Sequence, residues 1–209
     1  MTMYAVFDIN GVMIKGVDKS VMETLKALGI SPSKEKKYQT RKELFRQEGL
    51  DYEAFLREVW RGEHSVNIKP AEGAVECVKR LKGLGVNISA VSSMTTSLYL
   101  AKETLKKYGF PIEEFHGVGH LNSKWDAIQR PGFTVFVDNE KENIDYILEE
   151  MEVRSDYQSG RIKLVLCNLE GEEQCMEQCP NVVDIARSWE DIDNIIQRFG
   201  EGVGFLQPL

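Results

Sequence analysis

The chain has 209 residues, 42% of them hydrophobic and 28% charged, which suffices for one well-filled core with a smaller inserted unit and excludes a disordered or fibrous architecture. Thirty-three acidic against 26 basic side chains leave a net charge of -7, which repels polyanions and argues against nucleic acid as a partner. No apolar run approaches the ~20 residues of a membrane span, and the opening MTMYAVFDIN lacks the charged start and long apolar stretch of a signal peptide, so a cytoplasmic protein with no membrane partner is expected.

Residues 3–9 read as a buried strand: YAVF is a short β-prone apolar run that stops at Asp8, Asn10 and Gly11. From Gly16 to Ile68 no strand pattern recurs, whereas three helical patterns do, one of them carried by Tyr52, Phe55, Leu56 and Val59. The expectation is a small all-helical cap over residues 16–68, inserted after the first strand's carboxyl end, where it would hang over a site as a lid. Its Arg41, Lys42, Arg46, Arg57 and Arg61 suit an anionic substrate, although a helical surface this charged is ordinarily just solvated.

Beyond residue 70 apolar runs and amphipathic helices alternate. Residues 86–91, 133–137 and 162–166 lack the polar alternation of a one-sided sheet and read as strands covered on both faces. Between and after them, helical spacing joins Ala74, Val75, Val78 and Leu81; Leu98, Ala101, Leu105 and Tyr108; Ile144, Ile147, Leu148 and Met151; and Ile192, Ile195, Ile196 and Phe199. Residues 1–15 and 69–209 should therefore form an α/β, three-layer Rossmann-like core around a parallel sheet, with ligands bound outside the strands' carboxyl ends.

Four polar signals follow four of the hydrophobic runs: Asp8 in FDING, Ser92 and Ser93 in AVSSM, Lys124 in NSKWDAI and Asp138 in FVDNEKEN. Singly, each is a common turn or capping residue. Together and in this order they resemble the motifs of the haloacid dehalogenase superfamily, subfamily I, with a helical cap after the first motif. The resemblance covers most of the chain and includes PAEGAVECVKRLKGLGVNISAVSS and VFVDNEKENIDYI.

The resemblance implies a phosphatase or phosphotransferase acting on a small phosphorylated metabolite. Asp8 would attack phosphorus and carry an aspartyl-phosphate, and a carboxylate ionised near neutral pH needs no base to activate it. Mg²⁺ would bind the Asp8 carboxylate, the Asn10 main-chain carbonyl, Asp138 and the substrate phosphate, a hard cation among oxygen ligands, with Asn139 or Glu142 reaching the metal or its waters. Ser92, Ser93 and Lys124 would hold the phosphoryl oxygens, Lys124 also fixing Asp8.

The family's phosphatases carry a second aspartate two residues after the nucleophile, as general acid and base. Here that position is Asn10, whose amide holds geometry but exchanges no proton, a loss of typically 10²–10⁴ in rate. A slow or specialised enzyme is the favoured reading, and an inactive relative that binds a phosphorylated ligand or a protein is the alternative. A 2-haloacid dehalogenase is disfavoured because its chemistry needs no cation and so no Asp138 metal motif. The chain should be a monomer or a homodimer.

Cys167, Cys175 and Cys179 lie close in sequence but match no standard zinc or iron–sulfur spacing, so reduced spectator thiols are expected there and at Cys77. His116 and His120 are four apart, yet the intervening glycines argue for a loop rather than a helical ligand pair. Trp60 and Trp125 are expected in the core or at the lid.

Overall fold

The computed structural model describes residues 1–31, 35, 37, 40–119, 124–153, 160–169 and 183–206. Six parallel strands form the central sheet: β1 (Met3–Asp8), β4 (Asn87–Ser92), β5 (Glu114–Gly117), β6 (Phe133–Asp138), β7 (Ile162–Cys167) and β8 (Val183–Ala186), in the spatial order β5-β4-β1-β6-β7-β8. The chain runs outward from β1 through β4 to β5, returns to the other side of β1 as β6, and continues outward through β7 and β8. This reversal opens a crevice at the carboxyl ends of β1 and β6, where doubly wound sheets bind ligands. Asp8 is the last residue of one strand and Asp138 the last of the other.

Alternation along β1 explains why the sheet is covered on both sides. Met3, Ala5 and Phe7 pack into one apolar cluster with Val75, Val78, Leu100, Leu105 and Ile192. Val6 faces the opposite cluster with Phe136, Trp125, Ile128, Ile144 and Ile147. The first group of partners comes from helices α4 (Ala74–Gly83), α5 (Leu98–Lys107) and α8 (Trp189–Gly202); the second comes largely from α6 (Trp125–Ile128) and α7 (Lys141–Val153). Each large side chain taken out of water here contributes roughly 1.5–3 kcal/mol.

The helical insertion leaves the sheet after β1. Its entry and exit are joined by a two-stranded antiparallel ribbon, β2 (Ile14–Lys15) with β3 (Lys69–Pro70). Between them lie α1 (Val17–Ala27), α2 (Arg41–Gln47), α3 (Tyr52–Arg61) and a 3₁₀ turn (Glu63–Asn67), with no strand among the described residues. Thr40 and Asp51 cap α2 and α3 by accepting from Glu43 N and Ala54 N. The insertion's Phe45, Phe55, Val59 and Trp60 belong to the same apolar cluster as Phe7 and Val78, so the interior is continuous from the sheet into the helices.

Two strands of the central sheet depart from expectation. β5 was expected as loop because Gly117 and Gly119 follow His116, but Glu114–Gly117 pairs in parallel with β4. His116 thus belongs to an edge strand, within 2.6 Å of the Arg130 guanidinium, while His120 lies outside the described residues. β8 had no predicted counterpart. No described helix is long and apolar enough to cross a membrane.

Candidate active site

The site is built from three strand ends, those of β1, β4 and β6, and one short helix. Lys124 stands at the N-terminus of α6 and reaches across the crevice, donating from Nζ to Asp8 Oδ1 at 2.6 Å and to Asp138 Oδ2 at 2.7 Å. All three side chains are buried; Asp138 is completely so. The Asp138 carboxylate also accepts from Glu140 N at 2.9 Å and from Asn143 Nδ2 at 3.2 Å, and Asn143 further donates to Glu140 at 2.8 Å. α7 thereby locks Asp138 through its own first turn.

Two carboxylates share one ammonium, so the trio carries a net negative charge out of water. Burial, and then the Asp138 carboxylate, push the Asp8 carboxyl up to about 7, outweighing the nearby Lys124. Burial alone would depress Lys124, but Asp8 and Asp138 win and hold it well above the ordinary lysine range. The ammonium is therefore a fixed positive charge. Ser92, buried at the end of β4, accepts from Met94 N at 3.1 Å and keeps its own hydroxyl hydrogen for another acceptor; Ser93 is partly exposed beside it.

The loop after Asp8 is tightly tied. Met13 N and Ile14 N both donate to Ile9 O, Gly11 N donates to Ile14 O, and the buried Trp189 indole donates to Val12 O at 3.1 Å. Gly11 has φ +83°, and a Cβ there would overlap the Asn139 side-chain amide. Asn10 is half-buried, and its carbonyl accepts none of the loop's backbone hydrogen bonds.

These features fit a hard divalent cation. The donors are all oxygens, the trio lacks one positive charge, and Asn139 Oδ1 is buried without a hydrogen-bond partner. No group of three or more His, Cys, Asp or Glu side chains with metal-binding geometry exists among the described residues. Glu142 is exposed, whereas Asn139 contacts the Asp8 loop directly.

The structure thus brings Asp8, Lys124 and Asp138 into direct contact and sets Ser92, Ser93 and Asn10 on adjoining strand ends and loops. The contributions of Trp189, Asn143 and Gly11 were not anticipated; only the glycine after the aspartate offered a signal. Three of the insertion's five named cations are engaged elsewhere: Arg41 with Glu35, Arg57 near Asp51 and Glu53, and Arg61 with Glu103. Trp60 and Trp125 are both core residues. Cys77 and Cys167 are free, and burial pushes both thiols up to about 12, which makes them inert spectators; Cys175 and Cys179 lie outside the described residues.

No family model matches the chain, and no curated protein matches it in sequence. Solved structures do match it. A predicted phosphatase from Clostridium acetobutylicum superposes with a TM-score of 0.64 at 14% identity, over 95% of this chain and 99% of that one. A HAD phosphatase from Thermococcus onnurineus gives 0.57 at 16% identity, over 94% and 98%. A HAD family hydrolase from Deinococcus radiodurans, with bound phosphate and sodium, gives 0.55 at 15% identity, over 99% and 98%. The fold of this chain is that of the haloacid dehalogenase-like hydrolases.

Proposed function

We propose that this protein is a Mg²⁺-dependent phosphoryl-transfer hydrolase that acts on a small phosphorylated substrate through an aspartyl-phosphate on Asp8. The observation that carries the reading is the buried Asp8–Lys124–Asp138 trio at the sheet's switch point. Its negative charge and oxygen donors suit a cation and a phosphoryl group together. Bound Mg²⁺, held by the Asp8 and Asp138 carboxylates and the Asn10 carbonyl, would neutralise phosphate charge and polarise phosphorus.

The remaining work falls to the chain. Lys124 occupies Asp8 Oδ1, which leaves Oδ2 to attack phosphorus. The same ammonium and the Ser92 hydroxyl, with Ser93 beside it, hold phosphoryl oxygens and stabilise charge as it spreads in the transition state. Residues 16–68 act as a cap that shields the crevice from water, and residues 1–15 with 69–209 form the catalytic core. Asn10 fixes geometry without moving a proton, so turnover of ordinary phosphomonoesters is slow.

Asn10 also favours a second reading, a phosphoryl-binding protein that does not turn over. Phosphate release from p-nitrophenyl phosphate and a phosphometabolite panel, with and without Mg²⁺, separates the two. The enzyme reading predicts Mg²⁺-dependent release that is lost in Asp8→Ala. Ligand-dependent thermal stabilisation without any release would support the binding reading instead.

A further inference from the structure

Any displacement at phosphorus in this crevice leaves an oxygen that needs a proton, unless it departs as a stable anion. The described groups around Asp8 supply none readily. Asn10, on the loop that follows Asp8, is a carboxamide, and that loop is pinned by Gly11 N to Ile14 O and by the Trp189 indole to Val12 O. Lys124 is buried, and its ammonium is spent on both carboxylates, at 2.6 Å from Asp8 and 2.7 Å from Asp138. Asp138 is completely buried and accepts four hydrogen bonds from Lys124, Glu140 N and Asn143. Asn139 is an amide packed on Gly11, and Ser92 is an alcohol. His116 is engaged with Arg130 and Glu114 on β5. One exposed carboxyl, Glu140, is close enough to act on Asp8 electrostatically, and its head group is bonded by Asn143.

We infer that, on the reading proposed above, this site takes phosphoryl donors whose leaving group departs as a weakly basic anion, namely acyl phosphates, phosphoanhydrides and aryl or enol phosphates, and discriminates against alkyl monoesters. Asp8 Oδ2 bonds to phosphorus as the bond to the leaving oxygen breaks. The electron pair leaves with that oxygen, as carboxylate, phosphate, phenolate or enolate, which is protonated by bulk water afterwards if at all. The same lack of a base slows the second step, in which water oxygen bonds to phosphorus, the Asp8–phosphorus bond breaks, and the water's proton passes to solvent. The phosphoryl group therefore dwells on Asp8 long enough to be passed to an acceptor other than water.

The test follows kcat/KM for leaving-group release, which reports the first displacement alone, with Mg²⁺ across acetyl phosphate, dinitrophenyl phosphate, nitrophenyl phosphate, phenyl phosphate and glycerol phosphate, for the natural chain, Asn10→Asp and Glu140→Gln. The inference expects a steep fall along the series in the natural chain, and a gap between the ends that Asn10→Asp narrows by roughly 10²–10⁴-fold. Glu140→Gln should leave the slope where it is. A flat series in the natural chain, or a slope steepened by Glu140→Gln, overturns the inference while leaving phosphoryl transfer intact. Silence with every donor, together with no phosphoryl group on Asp8 by intact mass, overturns the proposed function itself.

Discussion

Asp8 and Asp138 share a single ammonium, and this imbalance sets how each residue of the trio answers substitution and pH. Lys124→Met would leave two buried carboxylates uncompensated, a loss of roughly 3–5 kcal/mol at pH 8 by urea denaturation. The loss should shrink at lower pH, because Asp8 accepts a proton. The sign for Asp8 follows from its raised carboxyl, about 7 in the folded chain against 3.8 for the free group. Between those values the folded state holds more protons than the unfolded one, so the contribution of Asp8 to stability is full below 3.8 and is lost as pH rises through 7. In chelator, stability should therefore fall from pH 6 to pH 8 by no more than about 1.4 kcal/mol per unit. Asp8→Asn should abolish the fall, and Mg²⁺ should suppress it in the natural chain. A stability that rises over this interval without metal would contradict the electrostatic account.

At the level of elements, the Asp8 loop is where backbone geometry and site meet. Gly11→Ala forces a side chain into the left-handed region, at roughly 1–2 kcal/mol, and drives it into Asn139. Both stability and release should drop, and adding Asn139→Ala should recover part of the stability by removing the overlap but not the backbone cost. Trp189→Phe keeps a ring against Phe7 but removes the donor to Val12 O, leaving a buried carbonyl unpaired at about 1–3 kcal/mol, measurable by denaturation. β1 and β6, which bear the two aspartates, were legible in sequence because each carries an apolar run ended by a polar residue, as in YAVFD and VFVD. β5 and β8 were not, since Glu-Phe-His-Gly and Val-Asp-Ile-Ala are four-residue edge strands whose outward positions are polar or exposed. The β2–β3 ribbon has two residues a side, too short for any periodicity to register.

For the whole molecule, the order of the motifs along the chain carried more than any one of them. Asp8, Ser92, Lys124 and Asp138 are up to 130 residues apart, and only the strand order brings Asp8 and Asp138 to the two lips of one crevice, with Lys124 bridging them. That bridge was anticipated from the resemblance for Asp8; its second arm to Asp138 emerges only from the packed structure. The continuous apolar interior further implies that insertion and sheet melt together. Trp60 reports on the insertion, and Trp125 and Trp189 on the core. Single-tryptophan variants retaining Trp60 or Trp125 should give coincident unfolding curves, and separated midpoints would show that the insertion is an independent folding unit. The central claim, that Asp8 is the nucleophile, is tested most directly by the intact mass of the protein after brief exposure to acetyl phosphate and Mg²⁺. A gain of one phosphoryl group, sensitive to chelator and absent in Asp8→Asn, is the predicted result; a gain that survives in Asp8→Asn, or no gain under any donor, would contradict it.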